Sequence, residues 1–259
     1  MATLAGCPTD RTPMHSPTLE AAHSTHLGTD RTISFWDPDA ECELVVGQPS
    51  VERDLWVEYV AGARLSYRKH GVESALDTAE IFDCDNTALF FAAIDRAGRV
   101  IGGVRAKGPY RNAEDSHAVE EWRGQPGQDA VRKMIDDRVP FGVVEMKTAW
   151  VADDPNRNRG LTTTLARSAY PAMALLDCQF LMATAATHVL DSWRSSGGIV
   201  ASKIPATPYP DARYRTKIMW WDRRTFVNHA EPRQAAKIVA EMKQLTHIIN
   251  GYAQSESGS

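Results

Sequence analysis

The stretch Val143–Thr164, VVEMKTAWVADDPNRNRGLTTT, constrains this chain more than any other. Its first part, Val143 to Val151, is rich in β-branched and aromatic residues, which favour a strand. That strand carries a carboxylate at Glu145 and a cation at Lys147. Asp153-Asp154-Pro155-Asn156 stops it, because all four are turn formers and proline lacks an N–H. Arg157, Asn158, Arg159 and Gly160 follow, and then a run suited to a helix from Leu161 to Leu176, which Pro171 kinks or ends near Tyr170. A basic, glycine-containing turn that opens a helix can hold an anion. The first N–H groups of the helix have no partner inside it, its dipole is positive there, and glycine lets a ligand approach the backbone. An ordinary strand–loop–helix connection with surface arginines fits the same composition, so both readings stand.

Around this stretch the hydrophobic periods mark the other elements. Thr32–Asp37 and Glu43–Gly47 read as two short extended pieces around a turn. Leu55, Tyr59, Ala63 and Tyr67 fall at helical spacing, with Ser50 placed to cap the start and Gly71 the end. Thr87–Ile94 and Val100–Ala106 flank Asp95-Arg96-Ala97-Gly98-Arg99 and form a hairpin. A polar stretch with two short helices, His117–Trp122 and Asp129–Asp136, separates that hairpin from the opening strand. Beyond it come a strand Gln179–Thr184, a helix His188–Ser195, strands Ile199–Ile204 and Arg213–Asp222, and an amphipathic helix Glu231–Asn250. The fold class expected is α+β: one mixed sheet flanked by helices, since the hairpin excludes an all-parallel sheet. The organisation expected is a flexible tail at 1–30, one domain at 31–230, a packed C-terminal helix at 231–250 and a tail at 251–259.

Composition removes several classes of function. The chain has 259 residues, with 43% hydrophobic and 24% charged, as soluble globular proteins do. A formal net charge of −4 argues against a nucleic-acid partner. Cys7, Cys42, Cys84 and Cys178 are far apart and form no metal-ligand spacing, so no metal is expected and the thiols read as free in a reducing, cytoplasmic compartment. No run of about 20 apolar residues is present to span a membrane, and the N-terminus has no apolar signal segment.

The order of elements and the turn together resemble the GNAT superfamily of N-acyltransferases. Its signature is a strand, an Arg/Gln-x-x-Gly-x-Gly/Ala turn and a helix, matched here by Arg157-Asn158-Arg159-Gly160-Leu161-Thr162, with Thr162 where the family has Gly or Ala. Within it, the chain is similar to the N-acyl-homoserine-lactone synthases and the related N-acyl amino acid synthases. Those place an arginine at a strand end with a proline soon after, then a polar insertion, then a Glu-x-Ser-Arg strand. Here Arg105 and Pro109 stand before the insertion, and Glu145-Met146-Lys147-Thr148 follows it, the cation one residue early.

The resemblance implies an N-acyltransferase that moves an acyl group, of fatty type, from an acyl thioester to the amine of an amino acid or similar small molecule. No cofactor would be permanently bound. The co-substrate would be acyl-CoA or an acyl-phosphopantetheine, the latter with an acyl carrier protein as partner. Alternatives are a lactone-forming signal synthase and a catalytically silent domain that binds acyl thioesters. On this reading the amine attacks directly. Glu145 is the base and Tyr214 donates to the departing thiolate. Trp150 and Val151 supply backbone amides for the thioester carbonyl, and Arg157, Asn158, Arg159, Gly160, Leu161 and Thr162 cradle the donor's phosphates. Arg105 and Lys147 hold an acceptor carboxylate, for which arginine is suited. His188 and Cys178 are weaker candidates, and Trp193, Trp220 and Trp221 read as core or as walls of an acyl pocket.

Overall fold

The computed structural model describes residues 32–76, 86–153 and 160–257. The expected tail at 1–30 and the turn residues Arg157, Asn158 and Arg159 lie outside them. In chain order the elements are β1 (Ile33–Asp37), β2 (Cys42–Gly47), α1 (Arg53–Lys69), β3 (Leu89–Ile94), β4 (Val100–Lys107), α2 (His117–Glu121) and α3 (Gln128–Asp136). Then come β5 (Val143–Val151), α4 (Leu161–Arg167), α5 (Ala169–Leu175), β6 (Phe180–Ala186), α6 (Leu190–Arg194), β7 (Ile199–Val200), β8 (Thr216–Asp222) and α7 (Pro232–Ser257).

The strands form one sheet in the order β1-β2-β3-β4-β5-β6-β8-β7. Every neighbouring pair is antiparallel except β5 and β6, which run parallel. That pair is joined through α4 and α5, the crossover a parallel connection requires.

Alternation along the strands gives the sheet two faces. Val104, Ala106, Val144, Met146, Leu181, Ala183, Met219 and Trp221 point to one face, where Leu165, Met173 and Ile238 of α4, α5 and α7 cover them. On the other face α1 packs on Phe90, Ala92 and Trp150, while α2 and α3 pack on Val143, Met182, Ile218 and Trp220. Between these two apolar patches runs a buried polar seam. It comprises Arg105 and Lys107 on β4, opposite Lys147 and Glu145 on β5.

A buried ion network ties β1, α4 and α7 together. Arg167 donates to Asp37, to Glu241 at 2.7 Å and to Gln234 at 2.8 Å, joining α4 to β1 and α7.

Five details differ from expectation. The first helix is preceded by Glu52 rather than Ser50, with no side-chain cap. Only Ile199–Val200 pairs with β8, because Ile204 N–H bonds back to Ala201 at 3.1 Å and the chain turns there. Arg213 binds Asp211 through its backbone and its guanidinium, so β8 starts only at Thr216. The last helix runs on to Ser257 rather than giving way to a tail at 251. The break near Pro171 falls at Ser168, because proline has no N–H to offer the carbonyl four residues earlier.

Candidate active site at a parting of two strands

β5 and β6 pair only from Val143–Phe180 to Met146–Ala183, yet β5 continues to Val151 and β6 to Ala186. Beyond Met146 the two strands part, and their facing edges are no longer bonded to each other.

A bulge in β5 begins where they part. Gly103 pairs with Trp150 and Arg105 with Lys147, so three steps on β5 answer two on β4. Thr148 takes up the extra residue at φ 56°, a conformation that costs a β-branched side chain about 1–3 kcal/mol. Two groups hold it there. The Tyr59 hydroxyl donates to its carbonyl at 2.8 Å, and Arg105 Nε donates to its hydroxyl at 3.2 Å. After the bulge, Ala152 N–H bonds Ile101 of β4 at 2.8 Å. Strand alternation then turns the N–H groups of Ala149 and Val151 to the opposite edge, toward the gap.

A cavity of about 380 Å³ occupies this gap, within the range of small-molecule sites. Its lining changes character from one face of the sheet to the other. On one side stand Val104, Met146, Leu165, Ala185, Val189 and Trp193, all part of or packed on the large apolar core. On the other stand Tyr67, Glu121, Lys147, Thr184, Tyr209 and Tyr214.

The polar side is organised by Glu121, whose side chain is fully buried. One oxygen, Oε1, accepts from Lys147 Nζ, from Thr184 Oγ1 at 2.9 Å and meets His117 Nδ1 at 3.0 Å. The other, Oε2, is buried without a hydrogen-bond partner. Burial alone would raise the Glu121 pKa, but the Lys147 charge and the His117 and Lys147 hydrogen bonds outweigh it and hold the carboxyl below its usual range. Burial likewise opposes the Lys147 charge, and Glu121 and Glu145 overcome it, so Lys147 stays an ammonium. Burial pushes the Tyr209 phenol up to about 12 and raises Tyr67, so both remain hydrogen-bond donors at neutral pH.

The residues singled out from the sequence divide into three groups. Lys147, Trp150, Val151, Thr162, His188, Trp193 and Tyr214 line the cavity. Trp150 packs its ring on α1 while its backbone pairs with β4, so Ala149 and Val151, rather than Trp150, turn their amides to the gap.

Glu145 and Arg105 are buried in the seam and are not among the lining residues. Glu145 Oε2 accepts from Tyr110 Oη at 2.6 Å, Ser116 Oγ at 3.1 Å and the His117 N–H at 3.0 Å, at the first turn of α2. Arg105 binds Thr148, and also Asn86 and Thr87, each at 2.9 Å. Leu161 is core, Gly160 precedes α4, and Cys178 is a buried thiol raised by burial to about 11, unsuited to act as a nucleophile. Trp220 and Trp221 are core.

Glu121, Tyr67 and Tyr209 escaped the sequence reading. Glu121 left one signal: it falls at helical spacing with Ala118 and Trp122, an acid within an apolar stripe.

The sequence matches no family model. It is 52% identical over 256 residues to the uncharacterized protein Rv1356c of Mycobacterium tuberculosis, covering 99% of this chain and 97% of the relative. The uncharacterized protein Mb1391c of Mycobacterium bovis matches to the same extent. This chain belongs to their family. Among solved structures it resembles FeeM, an N-acyl amino acid synthase from uncultured soil microbes, with a TM-score of 0.50 at 11% identity, over 79% of this chain and 95% of that one. The fold is GNAT-like, a central mixed sheet between helices, as the order of elements implied. Among the described residues no group of three or more His, Cys, Asp or Glu is placed to hold a metal, and no helix is long and apolar enough to cross a membrane.

Proposed function

We propose that this protein transfers an acyl group from a thioester to the primary amine of a small molecule. One observation carries the proposal: the parting of β5 from β6 opens a cavity that is apolar on one face of the sheet and polar on the other. A thioester laid in that gap meets what its reaction needs. Its acyl chain enters among Met146, Leu165, Val189 and Trp193. Its carbonyl lies at the β5 edge, where the N–H groups of Ala149 and Val151 stabilise the oxyanion that forms on attack. The amine arrives from the side of Tyr67, Glu121 and Tyr209, so the two reactants meet at the strand edge with their chemistries separated.

Lys147, with two of its three N–H groups committed to Glu121 and Thr184, offers the remaining one to an acceptor carboxylate. Tyr214 lines the cavity and, on this reading, protonates the leaving thiolate. The turn that opens α4 takes the donor's phosphates, as the resemblance implies.

The test offers the purified protein acyl-CoA thioesters of short and long chain, and the same acyl groups on a carrier protein, with pooled amino acids and small amines. Mass spectrometry should find an N-acylated product. No acylated amine with any donor would sink the proposal.

A further inference from the structure

The acid that the family resemblance points to, Glu145, is not the one that faces the cavity. We propose that Glu121, on α2, is the carboxylate that receives the amine of the acceptor, and that Glu145 is a positioning residue that seats the helix carrying it. The inference rests on the acyltransferase reading and assigns a residue within it.

Three observations lead there. First, Glu121 lines the cavity while its side chain is withdrawn from solvent, and its Oε2 is a buried acceptor with no partner. A buried carboxylate oxygen is costly to leave unsatisfied, and a bound N–H donor at the cavity would satisfy it. Second, the remainder of that carboxylate is fixed. Oε1 is held by Lys147, Thr184 and His117, which come from β5, β6 and α2, so the carboxylate cannot turn without breaking those bonds. Third, Glu145 binds α2 and is not among the residues that line the cavity, although its Oε1, like Glu121 Oε2, is buried without a hydrogen-bond partner. Glu145 Oε2 accepts from Tyr110, Ser116 and the His117 N–H, so it anchors the first turn of α2. His117 then lies one turn before Glu121 and bonds to it. The two acids are thus links of one chain: Glu145 fixes the start of α2, α2 presents Glu121, and Lys147 fixes its rotamer.

The chemistry balances as follows. The acceptor enters as an ammonium and donates to Glu121 Oε2. Lys147, already charged on the same carboxylate, disfavours a second positive charge beside it, so the acceptor gives up one proton, which passes over the ionised Glu121 to solvent, and becomes a neutral amine. The amine attacks the thioester carbonyl and forms the C–N bond. Collapse of the adduct breaks the C–S bond, and the nitrogen loses a second proton. The departing thiolate takes up this second proton, and the first has left to solvent.

The experiment uses the full chain and the donor and amine found by the product screen, comparing wild type with Glu121→Gln and Glu145→Gln. Donor affinity, measured by calorimetry with the non-reacting CoA or holo-carrier form, reports on the fold and the donor side. Glu121→Gln should lower kcat/KM for the amine roughly a hundredfold or more while leaving donor affinity unchanged. Glu145→Gln keeps an acceptor for the same three donors and should lose less than about tenfold. Should Glu121→Gln also lose donor binding, Glu121→Asp takes its place. It keeps the charge on a shorter side chain and should bind donor normally with a reduced kcat. An active wild type whose amine kinetics are unchanged by Glu121→Gln, or by Glu121→Asp in its place, overturns the assignment and leaves the acyltransferase reading intact. A wild type with no product overturns that reading and the assignment with it.

Discussion

A carboxylate and an ammonium buried together stabilise a fold only while both are present and charged. Removing one strands the other in a poorly solvated site, at a cost of about 3–5 kcal/mol. Glu121 and Lys147 are such a pair, and Glu121's lowered pKa gives the sign of their pH dependence. A carboxylate whose pKa is lower folded than unfolded contributes stability above its ordinary value of 4.5 and loses it as pH falls through the folded value. Lys147→Met should therefore destabilise the protein by about 3–5 kcal/mol at pH 7. The penalty should shrink toward pH 4, because the stranded Glu121 then takes up a proton and ceases to be a buried charge. Urea denaturation at a series of pH values measures the difference. A gap between variant and wild type that stays constant across that range would show that Glu121 is not the charge Lys147 balances.

At the scale of elements, the site depends on how closely α1 is pressed onto the bulged part of β5. Gly62 makes that approach possible. A Cβ built there would stand 2.1 Å from the indole of Trp150, which is buried among Trp56, Tyr59 and Phe90 and has little room to move. Gly62→Ala should cost about 1–3 kcal/mol, the usual range for overpacking, read as a fall in the denaturation midpoint without a change of slope. A midpoint equal to wild type would mean that α1 can lift off the sheet freely. The sequence announced much of this level. Val143–Val151 showed both its ends, because β-branched and aromatic residues run straight into Asp-Asp-Pro. The hairpin at Asp95–Arg99 was equally plain, since the Asp95 carboxylate bonds the Ala97 and Arg99 N–H groups within the turn itself. What stayed hidden was set by distant partners. The apolar run at Ile199–Ile204 looked like a strand, but Ile204 is drawn into the cluster around Trp122. Glu121 acquires its meaning from Lys147 and Thr184, which are 26 and 63 residues away in sequence. For Glu145 the strand position was legible, and the α2 turn that binds its Oε2 was not.

At the scale of the whole molecule, the proposed reading makes the sheet a partition that opens where β5 and β6 part, with the two reactants approaching from its two sides. Substitutions on opposite sides should then act on different substrates. Val189 lies on the apolar side, half-buried at the cavity wall, and Thr184 lies on the polar side against Glu121. Val189→Trp should reduce use of long acyl donors relative to short ones by about tenfold or more, the worth of a methylene or two in an apolar pocket, and leave the amine KM unaltered. Thr184→Val removes a hydroxyl from the Glu121 cluster and should raise the amine KM while leaving the preference for chain length as it was. If the partition is real, the double variant shows the sum of the two free-energy changes to within about 0.5 kcal/mol, as independent sites do. Coupling well above that, measured as a double-mutant cycle in kcat/KM, would mean that acyl chain and acceptor share one side of the sheet, and the separation of reactants by the gap between β5 and β6 would have to be abandoned.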